Sequence, residues 1–206
     1  MTLDTVVFDI GGVLVDWDPR HLYRSMFDGN HLEMERFLDE VCTNEWNHAM
    51  DAGRPFADAS AELIAQYPQY EGQILAWQGR WTEMLSGSIE GTVEVLQDLA
   101  AAGVRLLALT NWSAETFPEA RRRFEFLARF EAIVVSGEHG LAKPDPALFQ
   151  VLIDQHAVEP GAAVFVDDRA DNVAAAVGLG LTGVVFTDPS GLRADLERLG
   201  LLPARR

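Results

Sequence analysis

The second half of the chain alternates between short apolar runs and longer stretches with a helical spacing of apolar positions. The short runs fit buried strands, and the longer stretches repeat apolar residues every three or four positions, as amphipathic helices do. The pattern predicts strands at 104–109, 132–135, 162–166 and 183–186, and helices at 90–102, 114–129 with an interruption at Pro118, 146–156, 171–179 and 191–199. Strands and helices that alternate with short links are typical of a parallel sheet with right-handed crossovers.

The first half of the chain has a different pattern. Residues 3–8 predict one more strand, buried on both faces. Helical periodicity follows at 21–27, 32–41, 57–66 and 71–85, with no convincing strand among these pieces. We therefore expect an α/β fold in which residues 1–16 and 88–206 form a doubly wound, Rossmann-like parallel sheet core. Residues 17–87, the helical cap, are a small helical domain inserted after the first strand, where it can exclude water from the strand ends.

Composition narrows the partners and the location. The 206 residues carry 16 basic and 32 acidic side chains, a net charge of −16, and the longest basic run is Arg121 to Arg123. Nucleic acid is excluded as a partner, because phosphate backbones are bound by clustered Lys and Arg. No apolar run approaches the roughly 18 residues of a membrane span, and Asp4 and Asp9 interrupt the region where a signal peptide would be apolar. We expect a cytoplasmic monomer or homodimer with no membrane partner, in which the lone Cys42 is a small apolar filler.

Polar side chains stand at the carboxyl ends of the predicted strands or in the loops after them. They are Asp9, the pair Thr110 and Asn111, Lys143, and the pair Asp167 and Asp168. Since the carboxyl ends of parallel strands converge on one crevice, these residues predict a single site. Crowded carboxylates repel one another unless a hard cation lies among them, and Mg²⁺ prefers such oxygens. A hydroxyl, an amide and a lysine beside them suit a phosphate group.

Four ordered motifs give these residues a family likeness. They are Asp-x-Gly-Gly-Val-Leu from Asp9, Leu-Thr-Asn at 109–111, Lys-Pro-Asp-Pro from Lys143, and Phe-Val-Asp-Asp-Arg-Ala-Asp-Asn from Phe165. In this order they resemble the haloacid dehalogenase-like hydrolase superfamily over nearly the whole chain. Within it, the chain is most similar to the sugar-phosphate phosphatase branch typified by the α-D-glucose-1-phosphate phosphatase.

The resemblance implies a role for each residue in releasing phosphate from a small phosphate ester. Asp9 is the implied nucleophile, which forms an aspartyl-phosphate. Thr110 holds the transferred phosphoryl group, aided by the backbone around Asn111. Lys143 neutralises charge on the nucleophile and the phosphate.

The same resemblance implies a Mg²⁺ site. Asp168 binds the ion directly, Asp167 directly or through water, and Asp9 and the Gly11 carbonyl complete the protein ligands. Asp171 either orients the Lys143 loop or caps the following helix, and the sequence leaves both interpretations open.

The chain departs from the superfamily pattern at Gly11. Most phosphatases of the superfamily carry a second Asp there, which protonates the leaving alcohol and then activates water. Three interpretations follow: a phosphatase that obtains its proton elsewhere, a 2-haloacid dehalogenase, which needs no proton for the leaving halide, or a protein that binds phosphorylated ligands without turnover. The pair Asp167 and Asp168 favours the phosphatase, because displacement of halide uses no metal.

The helical cap contains a segment that could supply the missing proton. Residues 44–53 lie between predicted helices and resemble the specificity loop of the same branch. Glu45 or His48 could reach the substrate from this loop, as proton donor or as ligand of a sugar hydroxyl, with Trp46 as an apolar platform. The plainer interpretation puts Glu45 and His48 on a helix surface and Trp46 in the core.

Overall fold

Five parallel strands form the centre of the molecule in the computed structural model, which describes residues 2–204. In chain order these strands are β1 (Thr5–Phe8), β4 (Arg105–Thr110), β5 (Ala132–Val135), β6 (Ala163–Asp167) and β7 (Thr182–Val185). Their spatial order is β5-β4-β1-β6-β7, so the chain builds outward on one side of β1 and then on the other. The doubly wound α/β core predicted from the sequence is confirmed.

The strands are buried on both faces because their side chains are apolar in both directions. Val6 and Phe8 point into one hydrophobic cluster and Val7 points into the other. Strand β1 pairs with β4 on one side and β6 on the other, with Phe8 opposite Ala108 and Val166. The central position of β1 therefore fixes where its carboxyl end opens.

Helices cover both faces of this sheet. In chain order the helices of this part are α6 (Glu90–Ala101), α7 (Phe117–Arg123), α8 (Ser136–His139), α9 (Pro146–Gln155), α10 (Ala170–Gly178) and α11 (Pro189–Arg198), with 3-10 turns at Glu125–Arg129 and Pro160–Ala162. The first face carries α6 and α11, which pack against each other, and the second carries α9 and α10.

Five further helices lie between β1 and α6, and they pack around aromatic side chains. They are α1 (Arg20–Met26), α2 (His31–Glu40), α3 (Asn44–Asp51), α4 (Phe56–Gln66) and α5 (Glu71–Gly79), with 3-10 turns at Pro68–Tyr70 and Trp81–Met84. The ring of Trp77 is buried and lies 5.3 Å from Trp46, 5.9 Å from Tyr23 and 6.4 Å from Trp17 between centroids. Aromatic packing of this kind contributes beyond the buried area alone and explains why tryptophans are concentrated here.

The structure corrects the prediction that the first half holds no strand after the first. Strands β2 (Val15–Trp17) and β3 (Leu85–Ser88) pair antiparallel into a two-stranded ribbon, with Val15 opposite Ser88. The ribbon lies at both predicted boundaries of the helical cap, whose division from the core stays a prediction. Such short strands show too little alternation to be found by periodicity.

Of the two interpretations of residues 44–53, the structure agrees with the helix: α3 forms over Asn44–Asp51, and the Thr43 hydroxyl caps it by accepting a hydrogen bond from the Trp46 backbone N–H at 3.1 Å. Two helix predictions are corrected. The predicted helix 71–85 ends at Gly79, and the predicted helix 114–129 forms only over α7 before a 3-10 turn. Among residues 2–204, no helix is long and apolar enough to cross a membrane.

Candidate active site

The carboxyl ends of β1 and β6 bring three carboxylates together. Asp9 follows β1 directly, Asp167 ends β6 and Asp168 comes next, and the Asp9 backbone N–H bonds to the Val166 carbonyl at 2.8 Å. One carboxylate oxygen from each of the three lies within 4.8 Å of the others. This is the point where the strand order reverses, which is where open α/β sheets bind ligands.

Lys143 is the counter-charge of this cluster. Its Nζ lies 2.7 Å from Asp167 Oδ2 and 3.0 Å from Asp9 Oδ2, and it donates to the Leu109 carbonyl at 2.8 Å. The side chain is fully buried, which few lysines are. Because the Lys143 ammonium group contacts both carboxylates, it neutralises part of the negative charge on the floor of the site.

The remaining negative charge favours a cation. Burial raises the pKa of Asp9, Lys143 opposes that rise, and the neighbouring Asp167 adds to it. Burial and the charge of Asp167 likewise raise the pKa of Asp168. Three oxygens from carboxylates within one ion's reach are the donor set that Mg²⁺ selects, so the residues fit this ion.

The two glycines after Asp9 differ in their surroundings. Gly12 has φ +73°, and a Cβ there would lie 2.6 Å from Asp168 Oδ2. A Cβ on Gly11 would meet no atom within 4 Å. The chain therefore needs glycine at Gly12, whereas the space around Gly11 admits a side chain.

Thr110, which ends β4, and Asn111, which follows it, have different surroundings. The Thr110 hydroxyl is buried, and the described residues offer it no hydrogen-bond partner. The Asn111 side chain instead holds the Lys143 backbone: it donates to the Lys143 carbonyl at 2.9 Å and accepts from the Lys143 N–H at 2.8 Å. An unpartnered hydroxyl at the end of β4, the strand that pairs with β1, suits a phosphate oxygen. The roles of Thr110 and Asn111 toward a substrate stay predictions.

The structure does not place Asp171 on the Lys143 loop. Its exposed carboxylate pairs with Arg169 at 2.8 Å, and it is not the capping residue of α10. The side chain that orients Asp167 is Asn172, which donates to Asp167 Oδ1 at 3.0 Å and Oδ2 at 3.1 Å. Asn172 was not among the predicted site residues, although it lies five residues after Asp167, in the first turn of α10 and in the same sequence motif.

A cavity of about 640 Å³ lies above the carboxylates, between the sheet and the helical cap. The core contributes Asp9, Gly11, Asn111, Trp112 and Asp168 to its walls. The cap contributes Trp17, Asn44, Glu45, Asn47, His48, Asp51, Phe56 and Trp81. Glu45 and His48 lie on the exposed surface of α3, as the plainer interpretation predicts. They also line the cavity, which the interpretation as a specificity loop requires.

Asp51 is a carboxylate that the sequence analysis did not single out. It ends α3, is only partly exposed, and accepts a hydrogen bond from Asn47 Nδ2 at 2.9 Å. Burial raises the pKa of Asp51 to about 7, while hydrogen bonds from the Ser113 backbone and from Asn47 oppose the rise. The only sequence signal was the spacing of Asn47 and Asp51 by four residues, which places them on one helix face.

Known proteins match this chain in sequence. A family model described as haloacid dehalogenase-like hydrolase matches residues 3–180. The sesquiterpene phosphatase of Aspergillus oryzae is 24% identical over 198 residues, covering 96% of this chain and 97% of that protein. The N-acylneuraminate-9-phosphatase of Mus musculus is 35% identical over 155 residues, covering 75% of this chain but only 59% of that protein.

Solved structures match it in fold. A predicted HAD-like family hydrolase from Porphyromonas gingivalis superposes with a TM-score of 0.72 at 20% identity, covering 97% of this chain and 98% of that one. An enzyme of the HAD family from Bacteroides thetaiotaomicron, in complex with magnesium and inorganic phosphate, has a TM-score of 0.69 at 20% identity, covering 90% and 95%. Both show the same α/β fold.

Proposed function

This chain belongs to the haloacid dehalogenase-like hydrolase family, and from that premise we propose that it is a Mg²⁺-dependent phosphatase of small phosphomonoesters. The observation that carries the proposal is the floor of the cavity. There Lys143 Nζ contacts both Asp9 and Asp167, and Asp168 completes a cluster that suits a divalent cation. Phosphatases among the relatives agree with this reaction class.

The acidic pair argues for phosphate over halide. Displacing halide from a carbon by an aspartate needs no metal, and two further carboxylates next to the nucleophile would only repel it. A phosphoryl group carries its own negative charge, so its transfer requires cations on several sides. Lys143 supplies one positive charge beside Asp9, and a Mg²⁺ ion held by the three carboxylates would supply the other.

We assign the Mg²⁺ ligands to Asp9, Asp167, Asp168 and the Gly11 carbonyl. Asp168 faces the cavity, whereas Asp167 is fully buried and already bonded to Lys143 and Asn172, which favours contact of Asp167 with the ion through water. When bound, the ion neutralises charge on the phosphoryl oxygens and keeps Asp9 ionised.

The chain's own residues carry the steps. One carboxylate oxygen of Asp9 attacks phosphorus, the bond to the ester oxygen breaks, and an aspartyl-phosphate forms on Asp9. Lys143 holds the nucleophile in place and offsets its charge, while the unpartnered Thr110 hydroxyl donates to a phosphoryl oxygen. Water then attacks the same phosphorus and releases inorganic phosphate, which restores Asp9.

The cavity defines the substrate class. About 640 Å³ holds a phosphate and a small organic group, and its upper walls combine indole rings with amide, carboxylate and imidazole groups. The buried Trp112 Nε1 has no hydrogen-bond partner among residues 2–204, so it can donate to an acceptor on the organic group. A sugar phosphate fits a cavity of this size and lining. The similarity to the α-D-glucose-1-phosphate phosphatase branch stays a prediction.

Phosphate release from a panel of small phosphate esters tests the proposal. We expect wild type to release inorganic phosphate with Mg²⁺ and to stop in EDTA. Asp9→Asn should abolish release, because an amide cannot form the intermediate, whereas the control Asp154→Asn, an exposed aspartate on α9, should match wild type. Release of halide from 2-haloacids in EDTA, with no phosphate from any ester, would overturn the proposal.

A further inference from the structure

The proposed reaction leaves one proton without a donor. Breaking the bond to an alcohol oxygen is slow unless that oxygen is protonated as it leaves, and general acid catalysis is worth roughly 10²- to 10⁴-fold in rate. Gly11 has no side chain to supply the proton. The donor must therefore come from another wall of the cavity.

The direction of attack indicates which wall. The attacking and leaving oxygens lie roughly in line on opposite sides of phosphorus. Asp9 attacks from the floor, at the end of β1, so the leaving oxygen faces the wall that the helical cap contributes. The acidic or potentially acidic side chains on that wall are Glu45, His48 and Asp51.

Asp51 is the one of the three that the structure holds in place. Asn47 Nδ2 donates to Asp51 Oδ2 at 2.9 Å, and Asn47 Oδ1 in turn accepts from Trp77 Nε1 at 3.2 Å. The buried ring of Trp77 is the centre of the cap's aromatic cluster. The position of the carboxyl is thus set by the packing of the cap.

The core also fixes the end of α3. The Ser136 hydroxyl donates to the Asp51 carbonyl at 2.5 Å and accepts from the Trp112 backbone N–H at 2.8 Å. Asp51 therefore lies beside the loop that follows Thr110 and Asn111, on the sheet side of the cap. Glu45 and His48 lie earlier on the same helix and are exposed.

We propose that Asp51 is the general acid and base of this enzyme and replaces the acid missing at Gly11. The inference rests on the phosphatase function proposed above. As the Asp9 oxygen bonds to phosphorus and the ester bond breaks, the Asp51 carboxyl gives its proton to the leaving oxygen and the alcohol departs. The Asp51 carboxylate then takes a proton from the water that attacks the aspartyl-phosphate, so each turnover returns it to the acid form.

The protonation state agrees with this assignment. Partial burial disfavours the carboxylate, and the pKa of Asp51, raised to about 7, leaves a large share of the acid form at neutral pH. The positive charge of Lys143 lowers the pKa of Asp51 and so opposes the effect of burial.

The test compares two esters that differ in their need for a proton. The nitrophenolate of p-nitrophenyl phosphate leaves unprotonated, whereas the alkoxide of benzyl phosphate does not. We expect Asp51→Asn to lower kcat/KM for benzyl phosphate by roughly 10²-fold and for p-nitrophenyl phosphate by less than about 3-fold. The value of kcat/KM reports the transfer of the phosphoryl group to Asp9. Slower hydrolysis of the aspartyl-phosphate therefore does not mask the difference between the two esters.

A rescue variant separates a chemical role from a structural one. Because a Cβ on Gly11 meets no atom within 4 Å, Gly11→Asp can carry a carboxyl two residues beyond the nucleophile. We expect the double variant of Gly11→Asp and Asp51→Asn to recover at least 10-fold of the lost benzyl phosphate activity. Asp58→Asn, an exposed aspartate on α4 outside the cavity, is the matched control and should match wild type on both esters.

Several results would overturn the inference. They are an equal loss on both esters after Asp51→Asn, no loss on either, or a loss confined to benzyl phosphate in Glu45→Gln or His48→Gln instead. If wild type hydrolyses both esters and one of these results appears, the inference fails while the phosphatase function stands. If wild type releases phosphate from neither ester nor from the panel above, both fail together.

Discussion

The two glycines after the nucleophile show how neighbouring residues of one type can have unlike roles. Gly12 adopts a left-handed backbone and leaves room for the Asp168 carboxylate, while Gly11 borders open space in the cavity. In the sequence the two glycines look alike, but the structure requires glycine at Gly12 and would accept other residues at Gly11. The position free to vary is Gly11, where this chain has no side chain that could act as an acid.

Alanine substitutions should separate the two positions. Gly12→Ala is expected to cost about 1–2 kcal/mol of stability from the left-handed backbone, and to displace Asp168 so that Mg²⁺ raises the Tm less than in wild type. The free energy of unfolding of Gly11→Ala should lie within about 0.5 kcal/mol of that of wild type. Urea unfolding, and thermal melts with and without Mg²⁺, measure both effects, and equal stability losses in the two variants would contradict the account.

At the scale of elements, the helical cap is held by contacts that cross from the core. Glu115, in the loop after β4, accepts a hydrogen bond from the Phe56 backbone N–H at 2.9 Å and another from Gln78 Nε2 at 2.8 Å. Helix α4 has no side-chain cap of its own, because Pro55 precedes it. A core residue thus caps a helix of the insert, which couples α4 of the helical cap to the core.

Removing this contact should loosen α4 selectively. We expect Glu115→Ala to lose about 1 kcal/mol of stability and to speed hydrogen exchange in the first turn of α4. Asp188→Ala is the matched control, because Asp188 caps α11 within the core by accepting from the backbone N–H groups of Ser190 and Gly191, each at 2.9 Å. Asp188→Ala should lose a similar free energy of unfolding, while hydrogen exchange in α4 stays as in wild type. If hydrogen exchange in α4 is also unchanged in Glu115→Ala, α4 is not coupled to the core through Glu115.

The elements also show what the sequence can and cannot predict. Asp9, Lys143, Asp167 and Asp168 were predicted to meet because parallel strands put their carboxyl ends at one edge, and the structure brings them together. Asp51 could not be found this way. Its place on the cavity wall depends on which face of α3 turns toward the sheet, and that is set by the packing of the cap rather than by periodicity.

At the scale of the whole molecule, the partly buried carboxyl of Asp51 links stability to pH. Its pKa rises from the ordinary 3.8 to about 7, so between these values the folded state holds a proton that the unfolded state has released. The stability contributed by this group is complete below about pH 4 and is lost as pH rises through 7. Asp9 and Asp168, whose pKa values are also raised, act in the same direction when no metal is bound.

The variant Asp51→Asn should remove the Asp51 part of this dependence. In EDTA, we expect its Tm relative to wild type to rise by several °C between pH 5 and pH 8, which corresponds to about 1–2 kcal/mol. Carboxylates with lowered pKa values, such as Asp16 and Glu35, lose their stabilisation only at lower pH and do not obscure this window. A Tm difference that stays constant from pH 5 to pH 8 would show that Asp51 does not titrate there.

The ribbon of β2 and β3 has a consequence for how such a molecule can diversify. Because Val15 lies opposite Ser88 and Asp16 opposite Gly87, the chain leaves the core and returns to it at adjacent points. For the folding of the sheet, everything between Trp17 and Leu85 is one closed loop, and doubling the length of such a loop costs only about 0.6 kcal/mol. Exchange of the entire insert for one of another size would thus leave the nucleophile and its carboxylate partners in register. Substrate selectivity, which the insert determines, can therefore change in evolution without a change in the reaction at the core.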